Sequence, residues 1–209
     1  MQTLLERPDL SVIVPVYNLE HFLHPLLDCL KRQELGPYSV EYIFVLNNCT
    51  DNSEGVIRSS GLACTVINCT EQGCGCARNA GFEIARGERI WFMDGDDWLL
   101  GTNVIRDALD VAQGHDIIRV PYTSNYFLYD YFAMVWQYIY RRDFIEEFRF
   151  RKIQPAEDDE YSKQVLAKAG YDIYTFTEMP HLRYKGYYYN YLRPGSNMQR
   201  FTAGEDING

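Results

Sequence analysis

Short, continuously apolar runs alternate along the chain with segments whose apolar residues recur at helical spacing. Ser11-Val12-Ile13-Val14-Pro15-Val16 and Tyr42-Ile43-Phe44-Val45-Leu46 lack polar alternation, the mark of parallel strands covered on both faces. Thr65-Val66-Ile67, Arg89-Ile90-Trp91-Phe92-Met93 and Asp116-Ile117-Ile118-Arg119-Val120 continue the series. Between them, Phe22, Leu23, Leu26, Leu27 and Leu30 recur at helical spacing, with Pro25 tolerable only in a first turn. Ala77 to Arg86 reads as a helix stopped by Gly87, and Val104, Ile105, Ala108, Leu109 and Ala112 form a stripe between Asn103 and Gly114. The expected fold is α/β, with an open, mostly parallel central sheet flanked by helices. Such sheets bind ligands beyond the carboxyl ends of their strands. Tyr17-Asn18, Asn47 to Asp51 and Asp94 to Asp97 each follow a strand and are expected to line one crevice.

Past about residue 122 the alternation weakens. Tyr and Phe crowd 122–140 and 183–191, which predicts a small antiparallel C-terminal portion packed beside the sheet. The 209 residues, 46% of them hydrophobic, fit one domain over 1–209 with a frayed tail at 202–209.

A net charge of -9 without a long Lys or Arg run excludes a broad electrostatic grip on nucleic acid. The first residues carry charges within their apolar stretch, so they do not form a signal peptide. The apolar run Tyr131 to Tyr140 is too short for a bilayer span of about 20 residues. Six cysteines without an export signal point to the cytoplasm. Peripheral contact with the inner face of a membrane stays open, through a partner or a lipid-linked substrate. Cys64, Cys69, Cys74 and Cys76 lie close together but lack a paired C-x-x-C knuckle, so small buried thiols are expected in place of a zinc site.

Chemistry concentrates in Trp91-Phe92-Met93-Asp94-Gly95-Asp96-Asp97-Trp98, where an apolar strand breaks into three carboxylates within four residues. Clustered carboxylates repel one another unless a positive charge joins them. A site made only of oxygens suits Mg²⁺ or Mn²⁺, which take one or two carboxylates and leave other positions to phosphate and water. The plain alternative is an Asp-Gly turn with solvated acids.

Taken in order, several segments resemble family 2 of the inverting glycosyltransferases, which have the GT-A fold. Val12-Ile13-Val14-Pro15-Val16-Tyr17-Asn18 resembles its opening strand and loop, and Thr50-Asp51-Asn52-Ser53 the end of its second loop. Ala77-Arg78-Asn79-Ala80-Gly81 resembles its central helix start, and Asp94-Gly95-Asp96-Asp97 its metal-binding DxD. Glu157-Asp158 and Arg193-Pro194-Gly195-Ser196 complete the series. The resemblance implies metal-dependent transfer of a sugar from a nucleotide-diphosphate donor, a UDP-sugar as first choice, to a hydroxyl on a glycan, lipid-linked or protein acceptor. It places Pro15, Tyr17, Asn47, Arg78 and Asp94 at the nucleotide, with Tyr17 stacked on the base, Asn47 at the base edge and Asp94 at the ribose or metal. It makes Asp96 the direct ligand of Mn²⁺ or Mg²⁺, with Asp94 and Asp97 beside it, and Asp158 the catalytic base.

Two features depart from that pattern. Leu46-Asn47 stands where the family commonly has two aspartates, and an amide can donate as well as accept, so uracil is permitted without being demanded. Gly73-Cys74-Gly75-Cys76 precedes Ala77-Arg78 where small residues would be usual. Glu157, Asp158, Asp159 and Glu160 are consecutive acids, so the base assignment is open among the first three; a solvated helix start would carry the same acids. The Gly73-x-Gly75 pair fails as a dinucleotide fingerprint because Arg78 occupies the third glycine position. A non-catalytic relative that binds nucleotide-sugar or carbohydrate, with Trp98, Trp136 and Tyr187 to Tyr189 as its platform, is the alternative from another class.

Overall fold

The computed structural model describes residues 7–124, 134–152, 157–170, 173–175 and 186–189. The segment Arg193-Pro194-Gly195-Ser196 and the 202–209 tail lie outside the described residues.

The chain forms β1 (Leu10–Val16), α1 (Leu23–Lys31), β2 (Val40–Asn47), α2 (Ser53–Ser59), β3 (Thr65–Cys69), α3 (Cys74–Ile84) and β4 (Arg89–Phe92). Next come β5 (Trp98–Leu100), α4 (Val104–Asp110), β6 (Ile117–Arg119), β7 (Tyr122–Ser124) and a 3-10 turn at Val135–Gln137. Then follow β8 (Tyr138–Arg141), α5 (Arg142–Ile145), α6 (Glu157–Lys168), β9 (Tyr174–Thr175) and β10 (Gly186–Tyr189). The main sheet runs β3-β2-β1-β4-β8-β6-β9. Its β3-β2-β1-β4 half is parallel, with Leu10 opposite Val40 and Arg89.

Continuous apolar strands bury both faces. Val12, Val14 and Val16 of β1 point into one cluster with Leu23, Leu26, Leu27 and Leu30 of α1 and Ile105 and Leu109 of α4. Ile13 points the other way, with Ala77 and Phe82 of α3 and Tyr161 and Val165 of α6. Helices therefore cover the sheet on both sides, as the period-2 exchange between faces requires. Pro25 is the third residue of α1, inside the first turn where its missing N–H is harmless. Pro15 is tolerated in central β1 because the β4 ladder reaches only Ile13 and no strand there asks its nitrogen for a hydrogen bond.

Three boundaries differ from the sequence reading. Helix α3 starts at Cys74, before Ala77, because Gly73 takes φ 120 and turns the chain into the helix early. Helix α4 stops at Asp110, short of Gly114, in tight turns from Ala112 N–H to Leu109 O and from His115 N–H to Ala112 O. Strand β8, expected beside the sheet, lies within it, antiparallel to β4 and β6. Its Ile139 packs on one face while Tyr138 and Tyr140 pack on the other, so tyrosines do the filling that aliphatics do elsewhere. A second sheet, β5-β10-β7, pairs β10 antiparallel with β5 and parallel with β7. Among the described residues no helix is long and apolar enough to cross a membrane.

Candidate active site

The loops after β1, β2 and β4 meet at the carboxyl edge of the sheet, joined there by the starts of α3 and α6. The first two are tied to each other by crossed main-chain and side-chain bonds. Thr50 N–H donates to Asn18 Oδ1 at 2.8 Å, Glu20 N–H to Asp51 Oδ2 at 2.8 Å, and Asn52 N–H to Glu20 Oε2 at 3.0 Å. Ser53 Oγ accepts from Leu19 N–H and donates to Asp51 Oδ1 at 2.6 Å. Partial burial pushes the Asp51 carboxyl up, but bonds from Ser53 and Glu20 outweigh it and hold the group below its ordinary value. On this braced rim Tyr17 is 62% exposed, an aromatic face without a packing role. Asn18 and Asn48 take φ 50 and 56, the left-handed region that asparagine tolerates at a tight turn.

Asn47, expected to read the base edge, is buried and already engaged. Its Nδ2 donates to Cys69 O at 3.1 Å and Glu71 O at 2.7 Å, while its Oδ1 accepts from Gly73 N–H at 3.0 Å. Two carbonyls on one side and an N–H on the other admit one amide orientation. Both donors are committed, and only a second lone pair on Oδ1 is left. Asn47 thus fixes the segment that leads from β3 into α3.

The acid loop closes as a turn, with Asp97 N–H on Asp94 O at 3.3 Å. Gly95 lies close under the loop: a Cβ there would stand 2.6 Å from Leu19 Cδ1 and displace that side chain. Asp94 and Asp96 are half-buried, whereas Asp97 is buried, so Asp97 supports the loop from within. Among the described residues no three His, Cys, Asp or Glu side chains gather as a group that could hold a metal ion. The loop fits a Mg²⁺-type ion only in the mode where one or two carboxylates bind and a diphosphate and water supply the rest. The six cysteines are free thiols; of the four that lie close together in sequence, Cys76 is buried as expected, whereas Cys64, Cys69 and Cys74 are only partly covered.

Arg78 is the hub. One turn into α3, its guanidinium is almost fully enclosed, with Nη2 on Asp94 Oδ1 at 2.8 Å and Nη1 on Glu157 Oε1 at 3.5 Å. The Phe150 ring lies 5.3 Å from its charge centre. Burial alone would depress its pKa, but Cys74, Asp94, Glu157 and Asp158 together raise it well above the usual value, so the cation is permanent. Gly75 makes this approach possible, since a Cβ there would meet Phe150 Cβ at 2.8 Å and Glu157 Cγ at 3.2 Å. The roles of Glu157, Phe150 and Gly75 were not foreseen; the Glu157-Asp158 pair was the only local signal, since the contacts span some 70 to 80 residues.

The four acids that open α6 are not equivalent. Glu157 pairs with Arg78, Asp159 with Lys163 at 2.5 Å, and Glu160 with Arg151 at 2.7 Å. Asp158 has no ion-pair partner among the described residues; its Oδ1 accepts only the Asp159 N–H at 2.9 Å. Burial, opposed by Arg78 and reinforced by Glu157 and Asp94, pushes the Asp158 carboxyl up to about 6. Trp136 is buried in the core and accepts the Trp91 indole N–H at its carbonyl, which removes it from any carbohydrate platform.

A parallel half-sheet thus brings a strand-end acid loop, a buried Arg–carboxylate hub and a separate carboxyl of raised pKa to one edge. Residues 11–160 match the Glycosyl transferase family 2 domain, more than half of the chain, and the chain belongs to that family. EpsJ of Bacillus subtilis (strain 168), an uncharacterized glycosyltransferase, is 26% identical over 198 residues, covering 78% of this chain and 57% of EpsJ. TarS of Staphylococcus aureus (strain Mu50), a poly(ribitol-phosphate) beta-N-acetylglucosaminyltransferase, is 28% identical over 109 residues, 50% of this chain and 19% of TarS. A crystal structure of S. aureus TarS 1-349 in complex with UDP-GlcNAc superposes with a TM-score of 0.79 at 22% identity, covering 91% of this chain and 60% of that one. The mannosyltransferase PcManGT from Pyrobaculum calidifontis, in complex with GDP-Man and Mn²⁺, gives 0.74 at 18% identity, over 95% of this chain and 61% of that one. These likenesses establish the GT-A fold. The chain spans less than two thirds of the length of each of these relatives.

Proposed function

We propose that the chain transfers a sugar from a nucleotide diphosphate to an acceptor hydroxyl by single displacement with inversion, and that Asp158 is the base. The observation that carries this reading is that Asp158, alone among the four acids opening α6, has no ion-pair partner among the described residues, and that burial pushes its carboxyl up to about 6. A base poised near the operating pH takes a proton most effectively. In the step, the acceptor oxygen bonds to the anomeric carbon as its proton passes to an Asp158 carboxylate oxygen. The bond from that carbon to the diphosphate oxygen breaks with its electron pair on the leaving group.

Tyr17 offers a stacking face to the nucleobase, and Pro15 belongs to the strand end beneath it. The one unspent acceptor on Asn47 suits a ring N–H such as that of uracil, which favours a UDP-sugar. Arg78 holds Asp94 in place beside the donor. Asp96, with Asp94 and Asp97 on the same loop, would hold Mn²⁺ or Mg²⁺, which stabilises charge on the departing diphosphate when bound. The likeness to TarS, a poly(ribitol-phosphate) beta-N-acetylglucosaminyltransferase, favours a polyol-phosphate or other glycan acceptor over a protein. Replacing Asp158 with Asn is expected to leave UDP affinity within twofold while transfer falls by about 10² to 10⁴. A calorimetric titration with UDP and a transfer assay over a panel of nucleotide-sugars measure the two sides. Unchanged transfer would remove Asp158 from the mechanism and favour a binding role.

A further inference from the structure

Among the described residues, the Arg78 guanidinium is set among the carboxylates of Asp94, Glu157 and Asp158. Arg78 directs Nη2 to Asp94 and Nη1 to Glu157, and its buried Nε has no hydrogen-bond partner among the described residues. A guanidinium recognises carboxylates through a fixed planar fork, so an arm committed to one acid is not offered to the next. Glu157 and Asp158 are neighbours on the first turn of α6, yet only Glu157 takes an arm. We propose that Glu157 is a positioning residue: by occupying the Nη1 arm of Arg78 it keeps that cation off Asp158 and leaves Asp158 a free base. This rests on Asp158 as the base and assigns its neighbour the task of keeping it one.

The packing shows why Glu157 can do so. Its side chain is 11% exposed and is pressed into the space left by Gly75, where an added Cβ would lie 3.2 Å from its Cγ. Glycine at 75 lets the first turn of α3 approach the first turn of α6 closely enough for Arg78 to reach across. Phe150 covers the guanidinium from the side and stacks on Tyr161 of α6, ring centroids 4.0 Å apart. Had Arg78 closed on Asp158 instead, that carboxyl would be stabilised as an anion and its oxygens tied to the guanidinium, a poor acceptor for an incoming proton.

Among the described residues, the groups facing Asp158 come from four elements. Arg78 and Cys74 come from α3, Asp94 from the loop after β4, Tyr140 from β8 with Tyr161 packed behind it, and Glu157 and Asp159 from α6 itself. Burial pushes the Cys74 thiol and the Tyr140 and Tyr161 hydroxyls up, so all three stay neutral across the range in which Asp158 titrates. Arg78 is the cation with leverage there, and Glu157 decides where one of its arms points.

The test follows the Asp158 carboxyl by NMR in protein labelled with carboxyl ¹³C aspartate, from pH 4 to 8, in the parent, Glu157→Gln and Glu157→Asp. Glutamine keeps the shape and removes the charge. The Asp158 midpoint is expected to fall by about 1 pH unit or more, the usual effect of exchanging a neighbouring anion for access to a cation. Glu157→Asp keeps the charge but draws it back by one methylene, and should give a midpoint between the other two. A midpoint at or above the parent's in either variant overturns the proposal, so it stands or falls on Glu157→Asp if the glutamine variant does not fold. Because the measurement needs neither donor nor acceptor, it is independent of turnover. Loss of the base assignment would show separately, as unchanged transfer in Asp158→Asn.

Discussion

At Asn47 an amide does what a carboxylate could not. The Cys69 and Glu71 carbonyls need donors, and an aspartate in that place would turn two favourable contacts into oxygen facing oxygen. Asn47→Asp is therefore expected to destabilise the segment between β3 and α3 by about 2 kcal/mol, since two part-buried carbonyls each lose a donor at a cost of roughly 1 kcal/mol. For a chain of this size that lowers the melting temperature by about 4 to 8 °C, readable by differential scanning calorimetry. An unchanged melting temperature would mean that the amide is not holding the loop. From the sequence alone Asn47 could be assigned to the crevice but not given its partners. Composition says an amide can donate; only the positions of Cys69, Glu71 and Gly73 say that it already does. The same holds for Arg78, whose place in the motif was readable while its hold on Glu157 was not, because the two lie 79 residues apart in the chain.

Elements carry the site through contacts that tolerate no added atom. Helix α3 lies on the sheet at Gly81, where a Cβ would stand 2.4 Å from Ile13 Cγ2 and 3.1 Å from Val45 Cγ2. Both neighbours are buried side chains of central strands, with little room to yield. Gly81→Ala should push α3 outward at the turn that follows Arg78, costing about 1 to 3 kcal/mol as overpacking. Urea unfolding gives the loss as a lowered midpoint at unchanged slope, and a variant as stable as the parent would show that the helix can slide without penalty. Strands β1, β2 and β4 were legible because continuous Val, Ile and Phe runs leave one physical solution, a strand buried on both faces. Strand β8 differs because Tyr138 and Tyr140 carry hydroxyls that read as rim, yet both are buried, Tyr140 against Phe92 and Tyr161 and Tyr138 against Tyr140. The early start of α3 was hidden by Gly73 and Gly75, residues that normally end helices, used here for a backbone turn and for clearance.

Across the whole molecule, the carboxyl proposed for catalysis works against the fold that holds it. Asp158 titrates near its ordinary 3.8 in the unfolded chain and near 6 in the folded one, chiefly because burial penalises its anion. Between those values the folded state binds the extra proton, so stability declines as pH rises through that window and stays lower above it. The direction is opposite to that of a salt-bridged aspartate, which stabilises once ionised. Asp158→Asn removes the ionisation altogether. The variant should match the parent near pH 4 and exceed it by about 1 to 3 kcal/mol at pH 7.5, from roughly 1.4 kcal/mol for each tenfold change in proton affinity. Acids far from Asp158 contribute equally to the two proteins, so the difference between their urea midpoints at the two pH values reports Asp158 together with the groups coupled to it. Equal stability at pH 7.5 would mean that the folded protein holds the Asp158 anion as comfortably as water does. A gain in stability paired with a loss of transfer would mark Asp158 as a group kept in a costly environment for what it does there.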